Sequence, residues 1–78
     1  MSGRQGANLF QSFFGANVRR WRRRRQLTQE GLIELTGMDI RFLQRVEGGA
    51  INARLDTIVR LAEALMVEPS ALLRRTKD

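Results

Sequence analysis

Between Thr28 and Gly49 the chain carries two helix-length segments of only two to three turns, opened by Thr28 and Asp39 and followed by Gly37 and the Gly48–Gly49 pair. Short side-chain oxygens cap a helix N-terminus, and glycine accepts the left-handed conformation that ends one. Glu30 suits the positive end of the first segment, and Leu32 and Leu35 are expected to face its core. Met38 precedes the second cap and Leu43 is the fourth residue after it, the spacing of a hydrophobic staple. Helices this short do not persist alone in water, so the rest of the chain must hold them by packing.

The flanks supply that packing. Phe10, Phe14, Val18 and Trp21 recur at spacings of four, four and three, one stripe of an α-helix that runs through the sequence "RRWRRRR". Because Trp21 continues the stripe, Arg19, Arg20, Arg23 and Arg24 point outward, whereas Arg22 and Arg25 lie on its border. Leu9 and Phe13 stand beside the stripe, and Gly15 weakens this helix by about 1 kcal/mol relative to Ala. After the loop "GGAINAR" the apolar pattern resumes with Leu55, Ile58, Val59, Ala62 and Leu65 as a fourth helix. Pro69 opens a short fifth segment whose Leu72 and Leu73 can close the core. No strand alternation or internal repeat is present. The expected organisation is a flexible leader over residues 1–8, one domain over 9–75 and a frayed end over 76–78.

Chemistry is limited by what is missing. The 78 residues contain no His, Cys or Tyr, and Ser2, Ser12 and Ser70 have no base to activate them, so no nucleophile and base pair can be assembled. The carboxylates lack metal-ligand spacing, and neither an enzyme nor a cofactor or metal is expected. The start of the chain lacks the apolar run and cleavage pattern of a signal peptide, and no stretch reaches the length of a membrane span. A soluble cytoplasmic protein without a membrane partner is the expectation. Fourteen Lys and Arg against eight Asp and Glu leave a net charge of +6, which favours a polyanionic partner. Thirteen of the fourteen cations are Arg, whose planar fork suits phosphates and guanine edges, although genomic GC bias produces the same preference.

Two short helices joined by a tight glycine-containing turn form a helix-turn-helix candidate. At about 100° per residue, Phe42, Leu43 and Val46 fall on one arc of the second of them. Ile40, Arg41, Gln44 and Arg45 fall on the other, with no acid among them. The stretches "LTQEGLIELTGMDIRFLQRVEGG" and "LDTIVRLAEALMV" resemble the XRE or phage Cro and C-repressor family of DNA-binding domains, over roughly residues 14 to 73.

That resemblance implies an all-α, compact five-helix, lambda-repressor-like domain whose third helix enters the major groove of double-stranded DNA. It assigns Ile40, Arg41, Gln44 and Arg45 to base edges: Arg forks onto guanine, Gln pairs with adenine and Ile touches a thymine methyl. Thr28, Gln29, Asn52 and Arg54 take positions that grip the sugar-phosphate backbone. Arg22 and Glu47 match a structural ion pair between the first helix and the end of the third. The chain departs from the family where Ala53 and Arg54 replace the usual Pro and Ser, which weakens the cap of the fourth helix. Gly31 replaces a helix-favouring polar residue, and Phe42 replaces one with a hydroxyl.

The resemblance further implies a homodimer on an inverted-repeat operator, similar in size to restriction-modification controller proteins and without a ligand-sensing domain. Leu61, Met66, Val67 and Leu73 are the dimer candidates, some of which must instead fill the core. An alternative function is a protein-interaction module, an antitoxin or an adaptor to RNA polymerase, presenting Leu9, Phe10 and Phe13. A third is a basic amphipathic helix on anionic membrane or RNA.

Overall fold

The computed structural model describes the backbone of residues 2–75 and the side chains of residues 9–75. Five helices follow one another: α1 (Ser2–Arg24), α2 (Gln29–Thr36), α3 (Ile40–Glu47), α4 (Leu55–Leu65) and α5 (Pro69–Leu72). Among the described residues there is no strand, and no helix is long and apolar enough to cross a membrane. The backbone of α1 begins at Ser2, within the span 1–8 expected from the sequence to be a leader. The frayed end expected over 76–78 lies outside the described residues.

The capping residues act as their chemistry requires. Thr28 accepts from the Gly31 N–H at 2.9 Å, and Asp39 accepts from the Arg41 N–H at 2.7 Å. Gly37 closes α2 at φ 74°, a left-handed conformation that a side chain would strain. Arg54 stands at the N-cap of α4 without a side-chain cap hydrogen bond.

Phe14 and Val18 of α1, Leu32 of α2, Leu43 and Val46 of α3, four residues of α4 and Leu72 of α5 form one buried cluster. Trp21, Met38 and Phe42 pack against it from the side. Leu35, expected in this core, is 60% exposed, and Thr36 is buried in its place. Successive helical residues turn by about 100°, which sets Leu35 and Thr36 about 60° and 40° to opposite sides of Leu32. The core lies on the Thr36 side, where the hydroxyl is satisfied by donating to the Leu32 carbonyl at 3.0 Å.

On α4 the buried set is Ile58, Leu61, Ala62 and Leu65, spaced i, i+3, i+4 and i+7. Leu61, named from the sequence among the dimer candidates, is fully buried and belongs to the core. Leu55 and Val59, expected inside, are exposed on one flank of α4, and Met66 is exposed just beyond its end. Phe10 and Leu73 depart in the same sense and remain largely exposed. Both lie at the rim of an open apolar groove of about 140 Å³ between α1, the loop after α3 and α5.

Two polar residues of α1 hold the C-terminal half in place. Asn17 is buried and its Nδ2 donates to the carbonyls of Leu72 at 2.9 Å and Arg74 at 2.8 Å, which ties off the end of α5. Arg25 Nε donates to the Leu65 carbonyl at 2.7 Å, and one terminal nitrogen donates to Met66 at 3.1 Å. A cation at the C-terminus of α4 complements both the helix dipole and its unpaired carbonyls. Met66 itself turns left-handed there at φ 62°.

Candidate nucleic-acid interface

The interface is built on a buried ion pair. Arg22 reaches from α1 to Glu47 at the end of α3, with Nε donating to Oε2 at 2.7 Å and Nη2 to Oε1 at 3.0 Å. Its remaining terminal nitrogen donates to the Leu27 carbonyl at 2.9 Å, which also fixes the turn into α2. A two-pronged guanidinium–carboxylate contact defines orientation as well as distance. The C-terminus of α3 is thereby clamped to α1.

Backbone packing reinforces the clamp. Gly15 lies directly against the last turn of α3, where a built Cβ would overlap the Val46 carbonyl oxygen and stand 3.0 Å from that of Glu47. The residue therefore permits close helix approach, a role hidden behind its unfavourable helix propensity.

With its inner arc fixed by Leu43, Val46 and Glu47, α3 turns Arg41, Gln44 and Arg45 outward into solvent. Ile40 is half-buried at the start of the same face. The four residues expected to read bases thus share one flank. It carries two cations, one amide and one branched apolar group, with no carboxylate, and can offer donors to guanine and a paired donor and acceptor to adenine.

Gln29, expected to donate to a phosphate, also makes hydrogen bonds within the protein. Its Nε2 donates to Glu47 Oε1 at 3.2 Å, and its Oε1 accepts from Gln44 Nε2 at 3.3 Å. The buried carboxylate is thus connected through Gln29 to the outward amide of Gln44. A primary amide carries two N–H groups, so both glutamines keep a donor for a further contact. Thr28 is exposed, with its hydroxyl oxygen engaged in the helix cap. Asn52 and Arg54 are exposed on the loop leading to α4. Arg54 Nε lies 3.7 Å from Asp56 Oδ1, with 85% and 65% of the two side chains accessible. So exposed a pair leaves the guanidinium available to a phosphate.

The arginine run divides by role. Arg22 and Arg25 make structural hydrogen bonds, while the guanidinium carbons of Arg24 and Arg25 lie 5.0 and 5.2 Å from the Trp21 ring centre. The border positions of Arg22 and Arg25 were the signal for this division. Asn17 gave no comparable signal, because its partners are carbonyls more than fifty residues away. No group of three or more His, Cys, Asp or Glu suited to a metal ion occurs among the described residues.

Capped helices, the tight Gly37 turn and an acid-free outer flank on α3 define a helix-turn-helix protein of the DNA-binding regulator class. The chain belongs to the helix-turn-helix domain family, whose model matches residues 14–75, and it is of the XRE-like kind. It is similar in structure to the restriction-modification controller protein C.AhdI from Aeromonas hydrophila. The TM-score is 0.76 at 39% identity, covering 80% of this chain and 94% of that one. It is also similar to a hypothetical transcription factor, NHTF, from Neisseria, with a TM-score of 0.79 at 29% identity over 83% of this chain and 75% of the other. No curated protein matches the sequence.

Proposed function

We propose that the protein is a sequence-specific transcriptional regulator that binds an inverted-repeat operator as a homodimer, with half-sites about 34 Å apart or a multiple of that. The observation that carries this function is the flank of α3. Arg41, Gln44 and Arg45 stand exposed on a helix whose opposite side is clamped through Glu47. Ile40, Arg41, Gln44 and Arg45 read base edges in this proposal. Thr28, Gln29, Asn52 and Arg54 hold the backbone on either side. In this proposal regulation acts through the protein's own concentration, without a ligand sensor, in the cytoplasm, and likeness to a restriction-modification controller protein supports the regulatory role.

Enrichment of random duplexes on the purified protein tests the function, and a two-fold symmetric consensus is the expected result. Replacing Arg41 and Gln44 by Ala is then expected to reduce affinity for the selected operator by about 1–3 kcal/mol per lost base pairing, with little change on random duplex at fixed salt. Equal losses on both duplexes would reassign these side chains to phosphate contacts.

The exposed flank of α4, Leu55 and Val59, together with Met66 after its end and Leu73, is the dimer surface in this proposal, as is half-buried Val67. Charges there should keep the protein monomeric without disturbing the core. Sedimentation of Leu55→Glu with Met66→Glu is expected to give a monomer where the parent gives a dimer. A parent protein that stays monomeric with and without operator DNA would remove this surface from the proposal.

A protein-interaction module, antitoxin or RNA polymerase adaptor, is favoured by one observation. Leu9 and Phe10 are exposed, and Phe10 lies beside the apolar groove that Phe14, Ile51 and Ile58 line. A selection that returns no consensus would move the assignment to that groove.

A further inference from the structure

A second concentration of positive charge lies away from α3. On α1, Gly15 and Arg22 face α3, whereas Asn17, Arg20 and Arg24 lie toward α5. There they line a cleft of about 290 Å³ with Trp21, Arg74 and Arg75, and among the described residues no carboxylate lines it. Four guanidinium groups therefore border one small concavity.

Several of these groups are held in position. Arg24 lies against the Trp21 ring and Arg75 stands 5.6 Å from the centre of the Phe13 ring. A guanidinium resting on an aromatic face keeps its N–H edge available for an anion. The backbone carbonyl of Arg74 accepts from buried Asn17, which fixes where that arginine leaves the end of α5. Arg24, Arg74 and Arg75, gathered in this way, repel one another, and a bound anion relieves the repulsion.

We propose that the cleft between α1 and α5 binds phosphate groups, independently of the flank of α3. Planar guanidinium forks match phosphate oxygens in pairs, and the volume suits a short polyphosphate better than a protein segment. The phosphate can come from a free polyphosphorylated compound or from the backbone of a second nucleic-acid segment. The proposal does not rest on operator recognition and stands or falls separately from it.

Trp21 is the only tryptophan and lines the cleft, so its fluorescence reports occupancy. The protein is titrated with tripolyphosphate at constant ionic strength, with chloride as the reference. A saturable change is expected in the parent and, with unchanged affinity, in Arg41→Gln with Arg45→Gln. At least a tenfold loss of affinity is expected in Arg24→Gln with Arg74→Gln, with partial recovery in the corresponding double Lys variant. Circular dichroism melts verify that each variant is folded. No saturable change, or equal loss in the α3 variant, would overturn the proposal.

A second arm distinguishes the sources. Two differently labelled duplexes are mixed with the protein, and energy transfer between them is measured. Transfer that disappears in Arg24→Gln with Arg74→Gln assigns the cleft to nucleic-acid backbone. Tripolyphosphate binding without transfer assigns it to free phosphorylated compounds.

Discussion

Replacing Glu47 by Ala is expected to lower stability by about 3–5 kcal/mol, because Arg22 would be left buried without its counter-charge. Glu47 receives both prongs of that guanidinium as well as Gln29 Nε2, and both members of the pair are buried. In a domain this small, about 1 kcal/mol moves the melting temperature by about 4–8 °C, so a fall of well over 10 °C is expected. Thermal unfolding followed by circular dichroism measures it, and Arg22→Ala should behave alike. Replacing both residues together, Arg22→Met with Glu47→Leu, should recover most of the loss, since the pair itself adds little net stability. The double variant should still bind operator less tightly, because Gln29 no longer has Glu47 to hold it. A single alanine variant that melts within a few degrees of the parent would show that the charge is satisfied elsewhere.

Gly15→Ala tests the second support of α3, and here the sign of the effect carries the information. Helix propensity alone favours Ala by about 1 kcal/mol, so an unobstructed site would gain stability. At this site the new Cβ would meet the backbone carbonyls of Val46 and Glu47, which cannot swing aside as a side chain can. Overpacking of this kind costs about 1–3 kcal/mol or more, and net destabilisation is expected. Chemical denaturation gives the change in stability, and binding to the selected operator gives its functional effect. Weaker operator binding by protein that is still folded is expected, since relief of the clash displaces α3. A more stable variant with unchanged binding would mean that α1 and α3 are further apart than described.

These two sites show how differently parts of the molecule could be read from the chain. Thr28, Gly37 and Asp39 were legible because their effects are local: a side-chain oxygen or an absent Cβ acts within a few residues. The outward position of Arg41, Gln44 and Arg45 was legible because helical periodicity needs only one fixed face. The pairing of Arg22 with Glu47 came from family resemblance and is present in the structure. Gly15 was seen only as a weak point of α1, because its benefit depends on a helix that follows much later in the chain. Leu35, Leu55 and Val59 were misplaced because an apolar residue at the edge of a stripe faces core or solvent according to its neighbours, not its own identity. Leu61 is one of the dimer candidates that fill the core instead, which the sequence alone does not apportion. Gln29 was expected to turn to a phosphate, and its two hydrogen bonds depend on how α1, α2 and α3 meet.

If Gln44 reads a base as proposed, the chain of contacts from Glu47 through Gln29 to Gln44 ties recognition to folding. An amide already restrained in the free protein loses less rotational freedom when it meets a base, which lowers the entropic penalty of binding. Linkage also runs backward: DNA that engages Gln44 in this arrangement favours the folded state, and the transition temperature rises with operator concentration. In that proposal, selection on base preference at Gln44 and selection on thermal endurance through Glu47 act on one connected set of atoms, and substitutions at either end are not independent.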